Sequence, residues 1–179
     1  MTPAVVVVET PGTSPTTWAP LVQELGASTV VAFPCSGSVA DFEAAIRAAV
    51  APGAIVVAHG IGATLALQSG APAGRWVLLG PVLGPGPVGR LPAERCLAPS
   101  LARARWSVEP ASILQPVVIL AAALDDVAPV EVLVPESRKF PNRTLIRLGL
   151  GHFDARDQDH LGLLTDPIAT EATVRAVRR

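Results

Sequence analysis

Short runs of aliphatic residues alternate along the chain with segments whose apolar positions recur every three or four residues. The runs predict strands over Ala4–Glu9, Ser28–Phe33, Ala54–His59, Arg75–Gly80, Pro116–Ala122 and Thr144–Leu148. In Val5–Val8, Ile55–Ala58 and Val117–Leu120 no polar residue interrupts the run. A strand with one wet face would alternate, so these strands should be covered on both faces, as in a parallel sheet with helical crossovers.

Helices are expected between the strands. Thr17 is placed to cap a helix that presents Trp18, Leu21, Val22 and Leu25 on one face and stops at Gly26. Ser38 followed by Asp41 forms a capping box for the next, with Phe42, Ile46 and Val50 inward and an end at Pro52-Gly53. A third runs from about Ile61 to Ser69. A fourth near Val130–Lys139 contains Pro135, which weakens it. The last opens at Thr165-Asp166-Pro167, with proline in the first turn.

Six successive β/α units predict an α/β fold, with a doubly wound, mainly parallel sheet of about six strands. At 179 residues one domain accounts for the whole chain. The regular alternation breaks only at 81–115, which holds six prolines, four arginines (Arg90, Arg95, Arg103, Arg105) and Trp106. It reads as a short lid over the carboxyl ends of the strands.

Composition narrows the function classes. Half the residues are hydrophobic and 16% are charged, and the net charge is −1. That balance offers no electrostatic case for nucleic acid or an anionic membrane surface. The first apolar run is too short for a signal peptide or a span, and Cys35 and Cys96 make neither a disulfide framework nor a metal-ligand spacing. A cytoplasmic protein acting on a small molecule, with no metal or cofactor, is expected; the oligomeric state is not legible.

The stretch from Ile55 to Leu67 reads as a strand, a glycine-rich turn and a helix, with Ala58, His59, Gly60, Ile61 and Gly62 across the turn. It resembles the nucleophile elbow of the α/β-hydrolase family, G-x-S-x-G. Glu9 to Trp18 is similar to the loop that follows an early strand in that family. Asp125, with Asp126 second, matches the position of the acid. Leu148-Gly149-Leu150-Gly151-His152-Phe153 resembles the loop carrying the histidine. Elbow, acid and histidine come in the family's order.

The departures from that pattern bear on function. The resemblance puts Gly60 where the family has its serine, and glycine supplies no nucleophile for His152 to activate. One oxyanion donor, the Ile61 N–H, remains. The second would come from Pro11, which has no N–H. The expected enzyme therefore lacks a serine nucleophile and uses general acid/base chemistry of a lyase, isomerase, epimerase or cyclase type. A non-catalytic binding relative and a hydrolase in which His152 activates water directly are the alternatives. The expected catalytic residues are His152, Asp125 and Glu9, a carboxylate at a strand end where burial would raise its pKa. Gly60, Ile61, Thr10, Pro11 and Trp106 are expected to contact substrate. His160 and His59 read as structural, His59 pointing away from the site. Cys35 and Ser36 are a distant choice for a relocated nucleophile.

Overall fold

The computed structural model describes residues 2–10, 13–27, 29–32, 37–83, 108–123, 125, 127–149 and 161–179. Six strands are present: β1 (Val5–Val8), β2 (Thr29–Val31), β3 (Ile55–His59), β4 (Arg75–Leu79), β5 (Val117–Ala122) and β6 (Arg143–Leu148). They form one sheet in the order β2-β1-β3-β4-β5-β6, and every pairing is parallel. All six expected strands are therefore found, and the mainly parallel sheet is wholly parallel among the described residues.

The helices are α1 (Pro15–Leu25), α2 (Val39–Ala49), α3 (Gly60–Gln68), α4 (Val130–Ser137), α5 (Gly162–Thr165) and α6 (Pro167–Arg178). One correction concerns α1. Its cap is Ser14, whose side chain accepts from the Thr16 N–H, and Pro15 opens the first turn. Thr17 already lies inside the helix, because proline is tolerated where the N–H has no helical partner. The Ser38–Asp41 capping box of α2 is present as expected, although the helix ends at Ala49, three residues before Pro52. Asp166 caps α6 by accepting from Ile168 and Ala169.

Alternation along the strands divides the core between two faces. Val6, Val8, Val56, Ala58, Leu78 and Ile119 pack with Phe42 and Ile46 of α2, Leu65 of α3 and Leu133 of α4. Val5, Val7, Val57, Val77, Leu79 and Leu120 pack with Trp18 and Leu21 of α1, Leu163 of α5 and Ala169 of α6. Three layers result, as the unbroken apolar runs require.

From β1 the chain moves outward to β2, then crosses back to β3 on the other side of β1 and continues outward through β6. The order reverses between β1 and β3. In open α/β sheets the crevice at the carboxyl ends of such a pair is where ligands bind. At the far end of the described sheet, β6 exposes Arg143, Thr144 and Arg147.

Of the expected lid at 81–115, residues 84–107 lie outside the described residues, Trp106 and the four arginines among them. The described ends are anchored. The Thr64 hydroxyl donates to the Val82 carbonyl at 2.6 Å, and the Val82 N–H donates to the Gly60 carbonyl at 3.4 Å. After residue 107, Val108 and Ile113 pack against the core around a 3-10 turn at Pro110–Ser112.

Candidate active site at the carboxyl ends of β1 and β3

β3 passes into α3 with no intervening loop, and Gly60 makes the junction with φ +55°. An L-residue pays a steric cost in that left-handed region that glycine does not. His59 before it is extended, at φ −121° and ψ 145°. Two residues on, a Cβ on Gly62 would lie 2.6 Å from the Glu9 carbonyl oxygen and 3.3 Å from Thr10 Cα. The first turn of α3 thus lies against the backbone at the end of β1, and only glycine permits that approach. Ile61 between them is fully buried.

Glu9 follows β1 and extends its pairing by donating its N–H to the Val31 carbonyl at 3.0 Å. The residue is 5% exposed. Among the described residues its carboxyl group has neither a hydrogen-bond partner nor an ion pair. Burial alone pushes its pKa up, because removing water penalises the charged form.

Thr10 is buried beside it, and its hydroxyl is engaged with His59: Oγ1 donates to the His59 carbonyl at 2.7 Å and lies 2.6 Å from His59 Nδ1. The Thr13 hydroxyl donates to the Thr10 carbonyl at 2.6 Å and accepts from Trp18 Nε1 at 2.8 Å. The Trp18 and His59 rings meet edge-on, with centroids 5.9 Å apart. His59 is fully buried, and its ring faces Thr10, not away from it. Its tie to Thr10, 49 residues away, had no signal in the sequence.

Asp125 follows β5 and is 4% exposed. Its Oδ1 accepts from the N–H groups of Val127 and Ala128, at 2.9 and 2.8 Å, which fixes one carboxylate oxygen to the loop that leads into α4. His152, Pro11, Trp106, Asp126, His160, Cys35 and Ser36 lie outside the described residues.

A cavity of about 480 Å³ lies at the opposite, amino ends of the strands, lined by Val5, Leu25, Ile55 and Val177 among others. Another of about 460 Å³ runs between β6 and α6, over Val118 and Ile146. Neither is lined by Glu9, Gly60 or Asp125. The strand ends are the better candidate site because the buried Glu9 and Asp125 both follow strands there, and the strand order reverses beside Glu9. Among the described residues there is no group of three or more metal-ligating side chains, and no helix is long and apolar enough to cross a membrane.

No family model and no curated protein matches the chain. Solved structures do. An α/β-hydrolase enzyme from the metagenome of sediments of the Mar Chica lagoon, Morocco, superposes with a TM-score of 0.72 at 16% identity, covering 98% of this chain and 90% of that one. A thermophilic esterase from Thermogutta terrifontis gives 0.69 at 13% identity, over 98% and 88%. A monoacylglycerol lipase from Paleococcus ferrophilus gives 0.68 at 15% identity, over 99% and 94%. At such identities the likeness is one of backbone, and it extends over nearly the full chain. Together with the six-stranded parallel sheet, it shows that this chain has an α/β-hydrolase-like fold.

Proposed function

We propose that the protein is an α/β-hydrolase-fold enzyme that works by general acid/base chemistry without a serine nucleophile. On this reading Gly60 stands at the position of the fold's nucleophile, and its left-handed backbone at the β3–α3 junction supports the placement. With no hydroxyl there, no acyl-enzyme can form at that position.

The observation that carries the proposal is the Glu9 carboxyl group. It is buried, lacks a partner among the described residues and has a raised pKa, beside a turn that contributes no side-chain chemistry of its own. A carboxyl group in that state holds its proton to higher pH than an exposed one, and it can deliver that proton and take one back, as lyases and isomerases require. Asp125 and His152 form the second half of the proposed machinery. Strands lie about 4.8 Å apart, so the ends of β1 and β5, three positions apart in the sheet, are separated by roughly 14 Å. A small substrate and one imidazole fit within that span, which gives Glu9 and a His152–Asp125 dyad opposite sides of the same molecule. The segment at 81–115 serves as the lid that excludes water.

Two measurements test the reading. A fluorophosphonate probe should leave no adduct by mass spectrometry, and aryl esters should not be turned over appreciably. Stoichiometric labelling would refute the absence of a nucleophile and redirect attention to Ser36 or Cys35. Deuterium wash-in from solvent, followed by NMR on a panel of small carbonyl compounds, should show exchange that Glu9→Gln and His152→Ala each abolish. Exchange untouched by both substitutions would refute the residue assignments. Binding of panel members with no exchange by the unaltered protein would favour a non-catalytic binding relative.

A further inference from the structure

We propose that Thr10 is a positioning residue, which with His59, Thr13 and Trp18 clamps the end of β1 onto the β3–α3 junction. The argument rests on proton counting. Thr10 has one hydroxyl proton, and the 2.7 Å contact to the His59 carbonyl uses it, because two oxygens at that distance need a proton between them. The 2.6 Å contact between the same Oγ1 and His59 Nδ1 must then be carried by a proton on the ring nitrogen. The two contacts together therefore require hydrogen on Nδ1, through bonds that begin and end on the same histidine.

The second half of the clamp is equally determined. Thr13 spends its one proton on the Thr10 carbonyl, so it can only accept from Trp18 Nε1, which can only donate. The Thr13 N–H reaches the same Thr10 carbonyl at 3.2 Å. The edge-on contact of Trp18 with His59 closes the circuit. The Thr10 and Thr13 hydroxyls, His59 Nδ1 and Trp18 Nε1 are all engaged, the condition under which a buried polar network rigidifies its surroundings.

What the clamp holds is the residue on either side of it. Glu9 immediately precedes Thr10, and Gly60 immediately follows His59. Backbone hydrogen bonds of the β1–β3 ladder last register Val8 against Ala58, so beyond that point the side chains of Thr10 and His59 carry the pairing forward. Without them the strand end could part from the turn, admit water to the Glu9 carboxyl group and remove the cause of its raised pKa. This inference rests on the acid/base reading only for the part it gives Glu9; the hydrogen-bond directions stand without it.

The test is NMR on protein labelled with ¹⁵N-histidine and ¹³C-glutamate. The chain has three histidines, so substituting one at a time assigns them. In the unaltered protein neutral His59 should carry its proton on Nδ1, and the Trp18 indole N–H should be protected from exchange. Thr10→Val keeps the shape and deletes the hydroxyl: it should shift the His59 Nδ1 resonance and lower the Glu9 titration midpoint toward the ordinary carboxylate range. Thr10→Ser, which restores the hydroxyl, should recover both. Thr13→Val should speed exchange of the Trp18 indole N–H by about tenfold or more. A neutral His59 with its proton on Nε2 and none on Nδ1 would overturn the clamp, and that measurement needs no variant at Thr10 to fold. So would a Thr10→Val protein that keeps both the Nδ1 resonance and the Glu9 midpoint. An ordinary Glu9 midpoint together with an Nδ1–H His59 would instead remove the acid/base reading and leave the clamp in place.

Discussion

Alanine at position 62 should destabilise the fold and disturb Glu9 together. The added Cβ would lie 2.6 Å from the Glu9 carbonyl oxygen and 3.1 Å from its carbon. The shorter contact is roughly 0.8 Å inside ordinary van der Waals separation, on the steep wall of the potential. No flexible side chain is available to yield. The obstacle is backbone at the end of β1, which is held by β2 on one side and β3 on the other. Overpacking of this kind costs about 1–3 kcal/mol. Replacing glycine by alanine in a helix returns at most about 1 kcal/mol, and less in a first turn. A net loss of about 1–2 kcal/mol is expected, or a fall in Tm of about 2–8 °C for a chain of this size. Gly74→Ala is the control. Its Cβ would meet Gly53 Cα and O at 2.8 Å, a comparable clash at the amino ends of the strands. Both variants should lose stability in urea titrations, whereas only Gly62→Ala should shift the Glu9 titration. A Gly62→Ala protein within about 0.5 kcal/mol of the parent would refute the close approach of α3 to β1, and with it the geometry of the site.

Three further outcomes are expected. Because its folded pKa is raised, Glu9 keeps its proton to higher pH in the folded state than in the unfolded chain, so stability falls as pH rises from the ordinary carboxylate range to the folded pKa and is level above it; Glu9→Gln should therefore raise urea stability at pH 7, with no gain at pH 3. Ser14→Ala should lower stability by about 1 kcal/mol through loss of the α1 cap, while Thr17→Ala stays within about 0.5 kcal/mol, a comparison that thermal melts resolve. Gly60→Ser should fold at a penalty of about 1–2 kcal/mol for its left-handed backbone and yield weak ester turnover at most, since Pro11 offers no second oxyanion donor; activity of an ordinary esterase would contradict the alignment of the Glu9–Trp18 loop.

What the sequence revealed and what it hid divide along physical lines. The strands were legible because an uninterrupted run such as Val5–Val8 has one economical reading, burial on both faces. The capping box at Ser38 was legible because its partners are three residues apart. The cap of α1 was misplaced because Thr17 stands directly before the apolar Trp18, while the true signal, Ser14 before Pro15, lies a turn earlier. The single turn of α5 is shorter than any periodicity can register. At the site, the oddity of a carboxylate after a central strand marked Glu9. The bond from Thr10 to His59 was invisible, since it depends on β1 and β3 being neighbours and spans 49 residues. The closeness of Gly62 to the Glu9 carbonyl was hidden for the same reason.

The two ends of the described sheet have a bearing on how the protein behaves in concentrated solution. An end strand offers unpaired backbone groups to any other chain. β2 offers little, being three residues long. β6 is twice that length, and Arg143 and Arg147 stand exposed along it. If two copies met edge to edge in antiparallel fashion, guanidinium groups would be brought near guanidinium groups, and the repulsion would disfavour the pairing. That protection is electrostatic and so conditional. In about 0.15 M salt the Debye length is near 8 Å, but in 1 M salt it contracts to about 3 Å, and the two arginines then shield β6 only by their bulk.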